Sequence, residues 1–200
     1  MPHRAHLSKD ARMKKIVQSL PEIQLRKRNK VYLRLCSSIL SQQLSTIVAD
    51  VLYKRFLNLY DGKEPSLQQI IDTPTETLRA LGFSNAKAGY VHNVCRFFLE
   101  QNITDKQLHQ LDNEEVISLL TQIKGVGRWT VEMILMFTLA REDVFAIDDL
   151  GIRQAMIRLY NIKETDKKLL NEKLLRISKR WSPYRTYACR YLWNWKDGAN

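Results

Sequence analysis

Two stretches of the chain carry residue types that can do chemistry. The first is the acidic pair Asp148-Asp149, just ahead of a helical pattern that begins Leu150-Gly151-Ile152. Backbone amides at a helix start favour negative charge. An ionised carboxylate there can stabilise a developing cation or orient an attacking water. The plainer alternative is structural, with Asp148 as the helix cap and Asp149 as a first-turn charge. The second stretch is Ile123-Lys124-Gly125-Val126-Gly127-Arg128-Trp129. One helical pattern stops near Ile123 and another starts at once, with two glycines bracketing a single apolar residue. Glycine leaves its amides unshielded and permits backbone angles closed to other residues. Amides aimed outward at a helix start form an anion site, with Val126 anchoring the turn inward. A bare Gly-x-Gly is more often an ordinary tight turn.

The charge balance shifts that weighing. Lys and Arg number 32 against 21 Asp and Glu, a net +11. So basic a chain is attracted to polyanions, either nucleic acid or an anionic membrane. Arg26-Lys27-Arg28-Asn29-Lys30, Lys14, Lys15, Lys179, Arg180, Arg185 and Arg190 offer a phosphate track, although any one of them reads equally as a solvated charge. The membrane alternative is weak. The longest apolar stretch, Val131 to Ala140, is interrupted by Glu132 and falls far short of the roughly 20 residues a span needs. The first fifteen residues have no apolar core and do not read as a signal peptide. Cys36, Cys95 and Cys189 are too scattered for a zinc site, an iron–sulfur cluster or a disulfide framework, and they read as buried reduced thiols. His3, His6, His92 and His109 show no metal-ligand spacing.

The elements that must position these residues are helical. Apolar residues recur at three- and four-residue spacing and rarely alternate. Ser8, Ser45, Ser66, Thr75, Ser84, Thr104, Asn113, Asp148 and Thr165 each precede a helical pattern, and Gly62 and Gly82 stand where helices should stop. The long apolar run from Val31 to Tyr60 breaks at Ser41-Gln42-Gln43. The predicted helices are 8–20, 31–41, 45–60, 66–73, 75–81, 84–101, 104–111, 113–123, 128–140, 148–160, 165–181 and 184–195. On the helix from 128, the spacing of Trp129, Glu132, Met133 and Met136 puts all four on one face. The fold class is all-α.

Ile123-Lys-Gly-Val-Gly-Arg-Trp-Thr130, followed by Asp143-Val-Phe-Ala-Ile-Asp-Asp-Leu-Gly151, resembles the signature of the helix-hairpin-helix DNA glycosylases, and within them the 3-methyladenine DNA glycosylase II branch. Ile39-Leu-Ser-Gln-Gln-Leu-Ser45 resembles that branch's early loop at the lesion. Leu81-Gly-Phe-Ser-Asn-Ala-Lys-Ala88 resembles its middle turn, and Trp181-Ser-Pro-Tyr-Arg-Thr-Tyr-Ala188 with Tyr191-Leu-Trp193 its C-terminal helix. The matches run from about residue 30 to 195.

The resemblance implies base flipping and hydrolysis of the bond between base and sugar in duplex DNA. It implies a two-lobed helical fold with a cleft between the lobes. Residues 31–147 would form a central bundle that includes the hairpin, and 1–30 with 148–200 a second lobe. Asp149 takes the family's catalytic position. Family members that also cut the backbone carry a Schiff-base lysine where this chain has Trp129, so the resemblance implies a monofunctional enzyme. Trp129, Glu132, Met133 and Met136 would border the base pocket, and Ile123 to Arg128 would hold the DNA backbone. One of Gln42, Gln43 or Leu44 would fill the space left by the flipped base. No organic cofactor is implied, although a monovalent cation on hairpin carbonyls is. The expected partner is double-stranded DNA with alkylated bases, bound by a monomer away from membranes, in the cytoplasm or nucleoid of a bacterium or the nucleus of a eukaryote. The longer relatives' N-terminal sheet domain has no counterpart here, which suggests a compact subtype. Alternatives are the same fold acting on uracil, a mismatch or an oxidised base, and a non-catalytic DNA-binding protein.

Overall fold

The computed structural model describes residues 1–198, the side chain of Thr46 excepted. The described residues form thirteen helices and no strand. They are α1 (Pro2–Leu7), α2 (Ala11–Ser19), α3 (Val31–Ser41), α4 (Thr46–Asn58), α5 (Leu67–Asp72), α6 (Thr75–Ala80), α7 (Asn85–Glu100), α8 (Asp105–Gln110), α9 (Asn113–Leu120), α10 (Arg128–Phe137), α11 (Leu150–Tyr160), α12 (Lys167–Lys179) and α13 (Arg185–Asp197).

Caps set these boundaries. Ser45, Ser66, Ser84 and Thr104 each accept a backbone N–H two or three residues into their helix, as the sequence leads one to expect. At three other starts the cap is the neighbouring aspartate. Asp112 caps α9 in place of Asn113, because Glu115 at the third position completes a reciprocal capping box. Asp166 caps α12 in place of Thr165, and Asp149 caps α11 in place of Asp148, which is exposed. Pro74, without a side-chain bond, precedes α6, so Thr75 is its first residue. The expected helix 8–20 is α2 alone, starting three residues later, and α1 precedes it as a helix the sequence reading does not include. Ser8 ends α1, and Asp10 opens α2 by accepting from Arg12 and Met13. The break after α3 falls at Gln42-Gln43, where Gln43 has φ +60°.

The chain divides into two compact units, 28–134 and 1–27 with 135–200. In the unit 28–134, α7 is the axis on which α3, α5 and α6 pack. Leu35, Cys36, Ile39, Val91, Val94, Cys95 and Phe98 form its buried centre. All three cysteines are buried free thiols, and Cys36 Sγ lies 4.0 Å from Cys95 Sγ. In the unit built from both chain ends, α13 packs on α11 and α2, around the buried side chains of Met13, Met156, Trp181 and Tyr191. Asp10 ties the two chain ends together: it accepts from Tyr160 Oη at 2.7 Å and from Arg180 Nη2 at 2.8 Å.

The segment after Leu135 groups with the C-terminal helices, whereas the sequence-based division runs the central bundle on to 147. Its backbone is clipped to α13. Thr186 Oγ1 donates to Arg141 O at 2.6 Å and accepts from Val144 N–H at 3.1 Å. Thr186 N–H donates to Glu142 O at 2.9 Å. Arg185 donates Nε and Nη2 to the two carboxylate oxygens of Asp143 at 2.7 and 2.9 Å. Burial pushes the Asp143 carboxyl up, but bonds from the Arg185 side chain, Ser182 and the Arg185 backbone outweigh it and leave it below its usual range.

Candidate active site and nucleic-acid interface

In the unit 28–134 the sequence-nominated hairpin forms as one turn. α9 ends at Leu120, the Val126 N–H donates to Ile123 O at 3.0 Å, and α10 opens with the Val131 N–H donating to Gly127 O at 3.2 Å. Ile123 and Val126 are buried, so the apolar anchor points inward as expected. The two glycines differ. Gly125 has φ +101°, and a Cβ there would clash with the ring of Tyr90. Gly127 has nothing within 4 Å of where its Cβ would be. Gly125 thus lets the turn close on α7, and Gly127 leaves the start of α10 open. Asn93 adds a second tie, its Nδ2 donating to Lys124 O at 3.2 Å.

Arg128 is exposed but paired with carboxylates of its own chain. It forks onto Glu114 at 2.6 and 3.0 Å, clamping α9 to α10, and its Nε lies 3.1 Å from Glu132 Oε1. The bond from Arg128 holds the Glu114 carboxyl below its usual range. The four side chains expected to share a face are graded in exposure. Trp129 is 39% exposed, Met133 is half-buried, Glu132 is buried, and Met136 at 1% is interior packing. Other nominated cations are likewise committed: Arg180 to Asp10, Arg185 to Asp143, and Lys30 to Glu64. At the Gln42-Gln43-Leu44 turn, Gln43 and Leu44 are exposed.

In the other unit, Asp149 is 9% exposed and caps α11. Its Oδ1 accepts the Ile152 N–H at 2.8 Å and the Trp193 indole Nε1–H at 2.9 Å. Two donors on one oxygen fix the plane of the carboxylate. Gly151 makes the arrangement possible: a Cβ there would come within 3.1 Å of Asp149 Oδ1 and 3.2 Å of the Trp193 ring. Trp193 stacks on Phe137 with centroids 5.6 Å apart, and Arg190 covers the Phe137 ring at 5.6 Å. Sequence reasoning places Trp193 in a matching segment but assigns it no role. Its partner lies 44 residues away, beyond the reach of helical periodicity.

Among the described residues, no group of three or more His, Cys, Asp or Glu is placed to hold a metal ion, and no helix is long and apolar enough to cross a membrane. Residues 36–180 match the family described as HhH-GPD superfamily base excision DNA repair protein. The chain is 35% identical to DNA-3-methyladenine glycosylase 1 of Schizosaccharomyces pombe over 184 residues, covering 91% of this chain and 79% of that one. Its fold matches the solved structure of a 3-methyladenine DNA glycosylase of that yeast in complex with abasic DNA, with a TM-score of 0.86 at 33% identity, covering 96% of this chain and 95% of that one. A DNA-3-methyladenine glycosidase of Bacillus halodurans matches with a TM-score of 0.85 at 33% identity, covering 98% and 89%. The hairpin, the capped aspartate and these likenesses agree, and the chain belongs to the HhH-GPD superfamily of base excision DNA repair proteins.

Proposed function

We propose that the protein is a monofunctional DNA glycosylase that hydrolyses the N-glycosidic bond of alkylated purines, 3-methyladenine and 7-methylguanine, in duplex DNA. The names of its relatives support the activity and the substrate class, and a neighbour bound to abasic DNA supports the partner. The observation that carries the mechanism is the Asp149 carboxylate, set at the start of α11 and held by Trp193.

Alkylation at N3 or N7 puts a positive charge on the purine and weakens its bond to the sugar. The base then leaves as a neutral molecule without a strong general acid. Positive charge passes to the sugar as the bond lengthens. A fixed negative charge at Asp149 stabilises that cation or orients the water that attacks it. Water is the nucleophile, so no organic cofactor is needed. Trp129 offers an exposed indole face to a cationic base, worth on the order of 0.5–2 kcal/mol, and Met133 offers an adaptable apolar surface beside it. The amides at Gly127 and the first turn of α10 hold a phosphate, which sets position along the backbone without reading sequence. One of Gln42, Gln43 and Leu44 fills the vacated stack.

The hairpin carbonyls have acceptor capacity to spare for a monovalent cation. Those of Ile123 and Lys124 each accept one hydrogen bond, from Val126 and Asn93, and a carbonyl oxygen has two lone pairs. Such a cation would supply positive charge toward phosphate.

The test is chromatography of bases released from DNA carrying a panel of lesions. The expected products are 3-methyladenine and, more slowly, 7-methylguanine, with little uracil. Efficient uracil release with inert methylated purines would move the protein to another lesion class. Borohydride should trap no enzyme–DNA adduct, because Trp129 stands where a Schiff base would need lysine.

A further inference from the structure

We infer that Lys87 is a positioning residue for base flipping: its ammonium group grips the end of α3 and sets where Gln42, Gln43 and Leu44 stand. The inference rests on reading those three residues as the insertion turn. Lys87 Nζ donates to Leu40 O at 2.8 Å and to Gln42 O at 2.8 Å. These carbonyls close α3, where a helix leaves acceptors without intrahelical partners and gathers negative charge. Charge-assisted bonds of this length are stronger than neutral ones. The chain needs such a hold here. Gln43, directly after the gripped carbonyl of Gln42, has φ +60°, a conformation that a non-glycine residue adopts at a cost.

Lys87 owes its own place to the middle turn. Ser84 caps α7 by accepting the Lys87 N–H at 3.3 Å, and Gly82 with φ +105° turns the chain into that cap. The middle turn and the early loop, 45 to 47 residues from each other at these bonds, are thereby parts of one device. Packing of α3 on α7 does not depend on the ammonium, because their shared interior is apolar and includes Cys36, Val91 and Cys95. Burial lowers the Lys87 pKa, consistent with an ammonium group partly removed from water.

The experiment compares Lys87→Met, Lys87→Arg and Leu44→Ala with the wild-type chain. Flipping is followed by the fluorescence of 2-aminopurine beside a 3-methyladenine analogue in duplex DNA, and excision under single turnover. Lys87→Met should lower the flipping amplitude and single-turnover excision by roughly tenfold, the order expected when bonds to a charged group are lost. Thermal midpoint and affinity for undamaged DNA should stay near wild type. Lys87→Arg should restore most of the signal, and Lys87→Met with Leu44→Ala should be no worse than the more impaired single variant. Should Lys87→Met not fold, Lys87→Gln, whose amide reaches one carbonyl, should give an intermediate loss. Wild-type flipping by a folded Met or Gln variant, while substitutions within 42–44 impair it, overturns the role of Lys87 alone. Wild-type flipping after alanine replacement of each of Gln42, Gln43 and Leu44 overturns the reading of the turn instead.

Discussion

Helices α10 and α11 begin in opposite ways, although each start is a ready seat for negative charge. The start of α11 carries its own anion, since Asp149 occupies the Ile152 amide and is pinned there by Trp193. The start of α10 carries none from its cap. Gly127 has no side chain, and the space where one would stand is open. A helix that brings its own carboxylate can aim that charge at chemistry. A helix capped by glycine leaves its amides for an anion from outside. On the proposed function the first handles the sugar cation and the second the phosphate, and each substitution below acts on one start while sparing the other.

The largest effect belongs to Asp149→Asn. Asparagine still caps a helix and still accepts from Trp193, so α11 should hold. The negative charge is gone, and single-turnover excision should fall by about 10²–10³, the scale of losing one group that stabilises a transition-state charge. Binding to DNA with a stable abasic analogue should survive. Excision within a few-fold of wild type would take Asp149 out of the mechanism.

The two hairpin glycines should separate stability from binding. Gly125→Ala meets both the Tyr90 ring and a φ of +101° and should cost about 2–3 kcal/mol in chemical denaturation. Gly127→Val meets no neighbour and should cost no more than about 1 kcal/mol, as a poorer helix cap. It should instead weaken binding to damaged and undamaged duplexes alike, by roughly tenfold, through lost phosphate contact. A Gly127 variant that binds normally would return the hairpin to a structural turn.

Trp193→Phe is the finer probe of the α11 start. It keeps the stack on Phe137 and removes only the Nε1–H bond to Asp149. A loss of about tenfold in the excision rate with little change in DNA affinity is expected, the size of one bond to a charged group. An unchanged rate would mean that the Ile152 amide alone orients the carboxylate.

What the sequence makes legible follows from how far apart the interacting residues are. The break at Gln42-Gln43, the caps at Ser45, Ser66, Ser84 and Thr104, and the glycine hairpin are local, and they stand where expected. Where two polar residues are adjacent the cap is ambiguous by one position, which is how Asp148 stands in for Asp149. α1 has no side-chain cap and only six residues, so Pro2 at its first position is the one local signal, too weak by itself to announce it. The partners of the site are invisible for another reason. Tyr90 under Gly125, Lys87 under Gln42 and Trp193 on Asp149 each join distant segments, and no spacing rule reports such pairs. Charge counting has the same limit. Arg128, Arg180 and Arg185 add to the net charge yet are engaged by Glu114, Asp10 and Asp143.

The smallest effect concerns the segment that leads from α10 to α11. Asp143 fastens it to α13 through Arg185 and Ser182, and its carboxyl lies lower in the folded protein than its usual value. A carboxyl lowered by folding adds stability that is present above its unfolded pKa of roughly 3.9 and is lost as pH falls through the folded value. Asp143→Asn should therefore lower stability by about 1 kcal/mol at neutral pH. The gap between wild type and variant should narrow as pH falls below about 5 and close once it has passed the lowered folded value, because protonation makes the wild type resemble the variant. Thermal unfolding of both chains across that range measures it. Because this clip holds the approach to Asp149, excision should decline over the same acidic range in wild type, and the variant should be already impaired and less sensitive to pH there. A gap that stays constant with pH would show that the Asp143 charge does not fasten the segment, leaving the Thr186 bonds to Arg141 and Val144 to hold it.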